Sequence, residues 1–471
     1  MANAARVGTG FFFYPRGGSA QVVRYLSSAL AEEGWKTDLV AGSLGTRGAP
    51  TNAATFFDRA DLEVADYTEA FGWHEQGRDA MSAPFPHHPS FEDRPDVPDR
   101  VFAALDEQAA ERQVTAWARR LAGSAWRDDP VLHLHHLTPL HLAAERCFPD
   151  TPRVTHLHGT ELKFIAEATS DPPPGWEHAA AWVERLRHAA ATSARTICIS
   201  RHDRELAVEL LRLDPGSVSV IPNGVDTERF DRHRLDLSSR IAHWRRWLVE
   251  DPCGWDESGV PGTIRYAESD LGAFVDGGDP APVLLFVGRF LAFKRVALLV
   301  RAYGRARRES GVRAPLVIWG GSPGEWEGVH PYTVARAEGI DGVFFVGWRG
   351  HEELPTGLAC SEVFVAPSVE EPFGQVYLEA MACGLPVIGT ATGGPLSFVN
   401  AHSGEPNGWL VAPDDERALA AALVEAAGNP EELRRRGERA YVQIRAAYSW
   451  RSLVGRFISV YEDAMFPSSS A

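Results

Sequence analysis

Short apolar runs alternate with helix-like stretches along almost the whole chain. "RVGTGFFFY" precedes the helical pattern "SAQVVRYLSSALAEEG", which is followed by "KTDLVAG", "VLHLHHL", "RVTHLH", "RTICIS" and "VSVIPNG". After an interruption the rhythm resumes with "VLLFVGR", "APLVIWGG", "GVFFVGW", "EVFVAPS" and "LPVIGT". Continuous apolar strands between helices predict parallel sheets covered on both faces. Two such series predict two doubly wound α/β domains. The rhythm breaks over residues 43 to about 100, rich in Pro, His, Asp and aromatics, and over 227–282, which holds one helical pattern, "RIAHWRRWLVE". Their aromatics favour ordered loops over linkers. Residues 414–466 read as consecutive helices, and "PSSSA" as a frayed tail.

Composition narrows this picture. A chain of 471 residues is too long for one ordinary core, and 44% hydrophobic with 23% charged residues is globular. The formal net charge of −16 leaves no basic footprint for a nucleic-acid backbone, while it permits a neutral or cationic partner. Five scattered cysteines without a CxxC pair fit a reducing compartment. No signal peptide or membrane-spanning run is expected. Of the 47 basic residues only Lys36, Lys163 and Lys294 are lysine.

Candidate chemistry concentrates in "EPFGQVYLEAMACGLPVIGT", Glu371 to Thr390. Pro372 disfavours helix at Glu371, Gly374 starts the turn into "QVYLEAMAC", and Gly384 is placed to cap its end. Backbone N–H groups at such a helix start bind anions and hydroxyls. Glu371 would project into the crevice at the carboxyl edge of the sheet. Glu379 lies among Val376, Leu378, Ala380 and Met381, where a carboxylate is costly unless paired with an arginine, a backbone amide or a vicinal diol such as a ribose. In "VGRFLAFKR", Arg289 and Lys294 follow a strand and would face the same crevice, as a guanidinium fork and an ammonium able to hold a diphosphate or as solvated loop charges. Gly17 and Gly18, between the first strand and helix, allow close approach of a phosphate or form an ordinary turn. His156 and His158 share one side of a strand end, and "HLHH" at 133–136 is similar. Zinc is the alternative there, but no cysteine or carboxylate completes a ligand set. There is no Asp-x-Asp triple.

These segments resemble family-4 retaining glycosyltransferases, which have the GT-B fold. "VGRFLAFKR", the Glu371/Glu379 pair in the E-x7-E pattern, "HLHGTEL" at 156–162, "PRGGSAQVVRYLSSAL" at 15–30, "IPNGVD" at 221–226 and "ATGGPLSFV" at 391–399 carry the resemblance, in the family's order. It implies that Arg289 and Lys294 grip the diphosphate of a nucleotide sugar and that Glu379 binds the ribose. It assigns the donor-sugar hydroxyls to Glu371, Phe373 and Gly374, and His158 to the active-site histidine. It lays the Gly17–Gly18 loop against the donor phosphate and the acceptor. Two departures stand out: Arg295 where the family commonly has glycine, and about 55 residues between "NGVD" and "VLLFVG".

The expected architecture is therefore GT-B: two Rossmann-like domains facing a cleft. Residues 1–210 take the acceptor, 225–445 take the nucleotide-sugar donor, and a last helix in 446–471 crosses back. The expected catalytic residues are His158, Arg289, Lys294 and Glu371. The donor-binding set is Gly17, Gly18, Arg289, Lys294, Glu371, Phe373, Gly374 and Glu379. The expected reaction is retaining transfer from a UDP-sugar to a hydroxyl of a soluble acceptor, by a cytoplasmic enzyme with no cofactor, no metal and no nucleic-acid partner. A nucleotide-sugar epimerase or a phosphorylase on the same fold is the alternative.

Overall fold

The computed structural model describes residues 5–57, 59–92, 97–402 and 404–467. The Ser468–Ala471 part of the tail read as frayed lies outside them, as do residues 1–4 of the N-terminal reading and 58 and 93–96 of the first irregular stretch. The chain forms two compact units, Met1–Gly224 with Trp450–Ala471, and Val225–Ser449.

The first unit is built on seven parallel strands: β1 (Arg6–Phe11), β2 (Lys36–Ser43), β3 (Asp61–Asp66), β4 (Leu132–His135), β5 (Arg153–His156), β6 (Arg195–Cys198) and β7 (Val218–Val220). Their order is β3-β2-β1-β4-β5-β6-β7. Strands β4 and β5 are buried along their whole length, as expected where helices cover both faces. The helix Gly17–Glu32 covers one face, and the last helix, Trp450–Met465, packs beside it, its Leu453, Phe457 and Tyr461 sharing a buried cluster with Val22 and Leu26.

The first irregular stretch contains β3 and the helix Thr68–Glu75. Tyr67, fully buried, donates its hydroxyl to Phe12 O at 2.6 Å and so ties this stretch to the end of β1.

In the second unit β8 (Val275–Asp276) and β9 (Asp279–Pro280) form a small antiparallel hairpin. The main sheet holds β10 (Leu284–Val287), β11 (Leu316–Trp319), β12 (Val343–Gly347), β13 (Val363–Val365), β14 (Val387–Thr390) and β15 (Gly408–Val411), all parallel, in the order β12-β11-β10-β13-β14-β15. In both sheets the order reverses beside the first strand, between β1 and β4 and between β10 and β13. At such a switch point the loops leaving neighbouring strands run to opposite faces and open a crevice at the carboxyl edge. No helix among the described residues is long and apolar enough to cross a membrane.

Candidate active site

The second unit's switch point brings together six of the eight sequence-predicted donor residues; Gly17 and Gly18 lie in the first unit. Arg289 and Lys294 follow β10, while Glu371, Phe373, Gly374 and Glu379 follow β13, its sheet neighbour. Arg289 is exposed and makes no hydrogen bond or ion pair with the described residues. Lys294 ends a 3-10 turn, Ala292–Lys294, and its ammonium donates to Glu371 Oε2. Both side chains are largely buried, 14% and 9% exposed, so this is an ion pair with little water around it. Two residues assigned to different parts of a ligand thus neutralise each other in the free protein.

Two helices start at this crevice. Val296–Ser310 follows directly on Lys294 and Arg295, and Gln375–Ala382 follows Gly374. The N-terminal ends of both helices give the site the partial positive charge of the helix dipole. Gly374 takes the left-handed region, φ +93°, which glycine adopts without strain. Close backbone approach fixes the loop beside it: Gly394 N–H donates to Glu371 O at 2.8 Å, and a Cβ on Gly394 would lie 2.2 Å from Phe373 O. Phe373 is buried and packs edge-on against Phe398, ring centres 5.7 Å apart. The "ATGGPLSFV" segment therefore clasps the Glu371–Gly374 turn.

Glu379 sits inside the second helix and is buried. Burial pushes its carboxyl up to about 8, with the charge of Arg229 pulling the other way. His351 Nε2 stands 3.7 Å from Glu379 Oε1, and Arg229 donates to His351 O at 3.1 Å. Neither Arg229 nor His351 was singled out from the sequence: one follows "NGVD", the other follows "VGWRG", and no local pattern links them to Glu379.

Arg295 occupies a left-handed conformation, φ +53°, which explains why glycine suits this position. Its guanidinium does not join Arg289 and Lys294 but grips Asp414 in two contacts, 2.6 and 3.1 Å. The long stretch before β10 also finds a place. Trp255, fully buried, stacks on Phe290 with ring centres 5.3 Å apart and donates its indole N–H to Gly321 O at 3.1 Å. Phe290 is Arg289's neighbour, so the insertion backs the Arg289 loop.

In the first unit, Gly17 and Gly18 open the helix after β1; Gly17 has φ +71°, and a Cβ on either would meet nothing within 4 Å. His158 follows β5 and is buried. Its backbone N–H donates to Glu161 Oε1 at 3.1 Å, and its Nε2 lies 3.1 Å from His135 Nδ1. His136, at φ +61°, lies tilted against His158, ring centres 4.4 Å apart, and reaches Glu161 Oε2 at 3.4 Å. Burial, with repulsion from neighbouring imidazoles, pushes His135, His156 and His158 well below the ordinary imidazole range, so these rings are neutral.

Two doubly wound units, the second of which gathers an Arg/Lys pair and two carboxylates at its switch point, have the architecture of the GT-B class of sugar-transferring enzymes. Residues 16–229 match the profile described as Glycosyltransferase Family 4, and residues 281–429 that of Glycosyl transferases group 1. The chain belongs to glycosyltransferase family 4. It is 28% identical over 388 residues to the D-inositol 3-phosphate glycosyltransferase of Stackebrandtia nassauensis, covering 78% of this chain and 77% of that one. It is 30% identical to the alpha-maltose-1-phosphate synthase of Mycolicibacterium smegmatis over 61% of this chain and 67% of that one. In fold it matches sucrose-phosphate synthase from Thermosynechococcus elongatus, at TM-score 0.65, 19% identity and 98% and 100% coverage. It also matches Anabaena HepE in complex with UDP-glucose, at TM-score 0.63, 15% identity and 96% and 99% coverage.

Proposed function

We propose that this glycosyltransferase moves a sugar from a UDP-sugar to a hydroxyl of a soluble acceptor, with retention at the anomeric carbon and no divalent ion on the diphosphate. The observation that carries the reading is the convergence of Arg289, Lys294, Glu371 and Glu379 on one switch point. The bond between the anomeric carbon and the diphosphate oxygen breaks, and negative charge grows on the leaving group. Arg289, Lys294 and the N–H groups opening Val296–Ser310 and Gln375–Ala382 offset that charge. The acceptor oxygen bonds to the same face, and its proton passes to the leaving phosphate. Glu379 takes the ribose diol. Glu371, with the amides of Phe373 and Gly374, takes sugar hydroxyls and releases Lys294 to the diphosphate. The first unit, with its Gly17–Gly18 turn and His158, takes the acceptor. Uridine is supported by the UDP-glucose complex of HepE, and a soluble polar acceptor by relatives named for inositol phosphate and maltose 1-phosphate.

The test is a thermal-shift screen of UDP, ADP, GDP and their sugars, followed by proton NMR of the glycosidic product. A ligand at about 100 times its Kd adds about 2.7 kcal/mol of stability. UDP and a UDP-sugar should raise Tm, and the product should keep the donor's anomeric configuration. No response to any nucleoside diphosphate, or an inverted product, would overturn the reading.

A further inference from the structure

Behind His158, the first unit carries a set of imidazoles that the transfer reaction does not use. Strand β4 puts His133 and His135 two residues apart on one face, and parallel pairing sets His156 of β5 directly beside His135. The sequence shows the histidines of β4 and of β5 only separately; the register sets His156 beside His133 and His135. All three are fully buried, and their ligand atoms lie within 4.8 Å of one another.

Their hydrogen bonding is lopsided in an informative way. His133 Nδ1 lies 2.8 Å from Tyr461 Oη, and His135 Nδ1 lies 3.1 Å from His158 Nε2. His133 Nε2, His135 Nε2 and both nitrogens of His156 have no hydrogen-bond partner among the described residues. Buried polar nitrogens are nearly always partnered. Ligating histidines characteristically tie one ring nitrogen to a second group, which fixes the tautomer and turns the other nitrogen's lone pair to the metal. Tyr461 and His158 stand where such second groups belong.

We propose that His133, His135 and His156 bind a late first-row divalent ion, zinc foremost, inside the first unit. Three neutral nitrogen donors suit zinc, cobalt, nickel or copper, whereas magnesium and calcium require oxygen ligands. Glu161, buried and accepting from the His158 backbone N–H, fixes the position of His158 beside the cluster. The ion would tie β4 to β5 and, through Tyr461, to the helix Trp450–Met465. It takes no part in holding the diphosphate, so the inference stands apart from the proposed transfer reaction.

The test uses the full chain, produced without a histidine tag in zinc-supplemented medium, with metal measured by mass spectrometry after gel filtration. About one zinc per chain is expected. Stripping with a strong chelator and adding cobalt should give the visible ligand-field bands of a nitrogen-ligated site. His156→Gln should abolish stoichiometric zinc. Tyr461→Phe should keep the fold and weaken zinc binding about ten- to a hundredfold, read by competition with a chromophoric chelator. Tyr461→Phe and the wild-type cobalt spectrum decide the matter if His156→Gln fails to fold. A folded wild-type chain without zinc that develops no cobalt bands overturns the proposal, as does full zinc retention in a folded His156→Gln.

Discussion

The Lys294–Glu371 pair permits a test in which stability and binding respond in opposite directions. In Lys294→Ala the Glu371 carboxylate stays where it is 9% exposed but loses the ammonium. Breaking a buried pair from one side costs about 3–5 kcal/mol, and the residual exposure here points to the lower end, about 3 kcal/mol. For a unit the size of the second one this lowers Tm by about 6–12 °C. Glu371→Ala strands the ammonium at a similar cost, but a bound diphosphate replaces the lost carboxylate. Removing both charges should cost clearly less than the sum of the single changes, because neither charge is then stranded. The assays are urea denaturation of wild type, both single variants and the double variant, and calorimetry with UDP. UDP should bind Glu371→Ala at least as tightly as wild type, since Lys294 no longer has to leave a partner, although turnover should fall. It should bind Lys294→Ala about ten- to a hundredfold more weakly, the equivalent of one lost charge-assisted hydrogen bond. Single-variant costs that add to within about 0.5 kcal/mol would refute the coupling. UDP binding weakened equally by both changes would refute the division between diphosphate and sugar.

Further outcomes follow from the same geometry. Arg289→Ala should lower turnover by about a hundredfold or more at unchanged Tm, because Arg289 is exposed and makes no hydrogen bond or ion pair with the described residues; a near-wild-type rate would remove it from the diphosphate site. Glu379→Ala should weaken UDP and the UDP-sugar alike by about ten- to a hundredfold, measured by calorimetry. Burial raises Glu379 from 4.5 to about 8, so its stabilising contribution is complete below pH 4.5 and lost as pH rises through 8. Glu379→Gln should therefore gain stability over wild type progressively from about pH 5 to 8, and a pH-independent difference in denaturation midpoint would count against the buried carboxyl. Turnover should survive brief EDTA treatment, which removes exchangeable magnesium and manganese; a loss restored by either ion would show that the diphosphate is held through a metal.

The strands legible in the sequence are those buried on both faces, such as "VLLF" and "VFFVG", whose apolar runs have no competing explanation. Strand β3 escaped because it lies at a sheet edge and is only partly buried, so "DLEVAD" reads as polar loop. β15, "GWLV", is four residues long and set between loop-like segments. The candidate site was legible as types and local placement: cations after one strand, carboxylates around the next helix. That Lys294 and Glu371 pair with each other was not, because the contact spans 77 positions and depends on β10 and β13 being neighbours. The surroundings of Glu379 were hidden for the same reason, since Arg229 and His351 come from separate loops.

Arg295 shows why a local departure from a family pattern cannot be interpreted before the fold is known. As a sequence feature it is an extra positive charge beside a phosphate-binding lysine. In the structure that charge is committed to Asp414, and both residues adopt left-handed conformations, φ +53° and +57°. A left-handed non-glycine residue costs roughly 1–2 kcal/mol, and an ion pair as exposed as this one returns about 0–1 kcal/mol. The pair therefore does not offset the strain by itself. What holds Arg295 in place is the helix it caps: Val296, Leu299 and Val300 are buried, each worth about 1.5–3 kcal/mol, and they fix the chain direction immediately after Lys294. From the other end, Trp255 of the insertion packs on Phe290 and holds the turn immediately after Arg289. The two cations thus stand on a short loop anchored at both ends by buried side chains, so their placement is set by packing before any phosphate arrives.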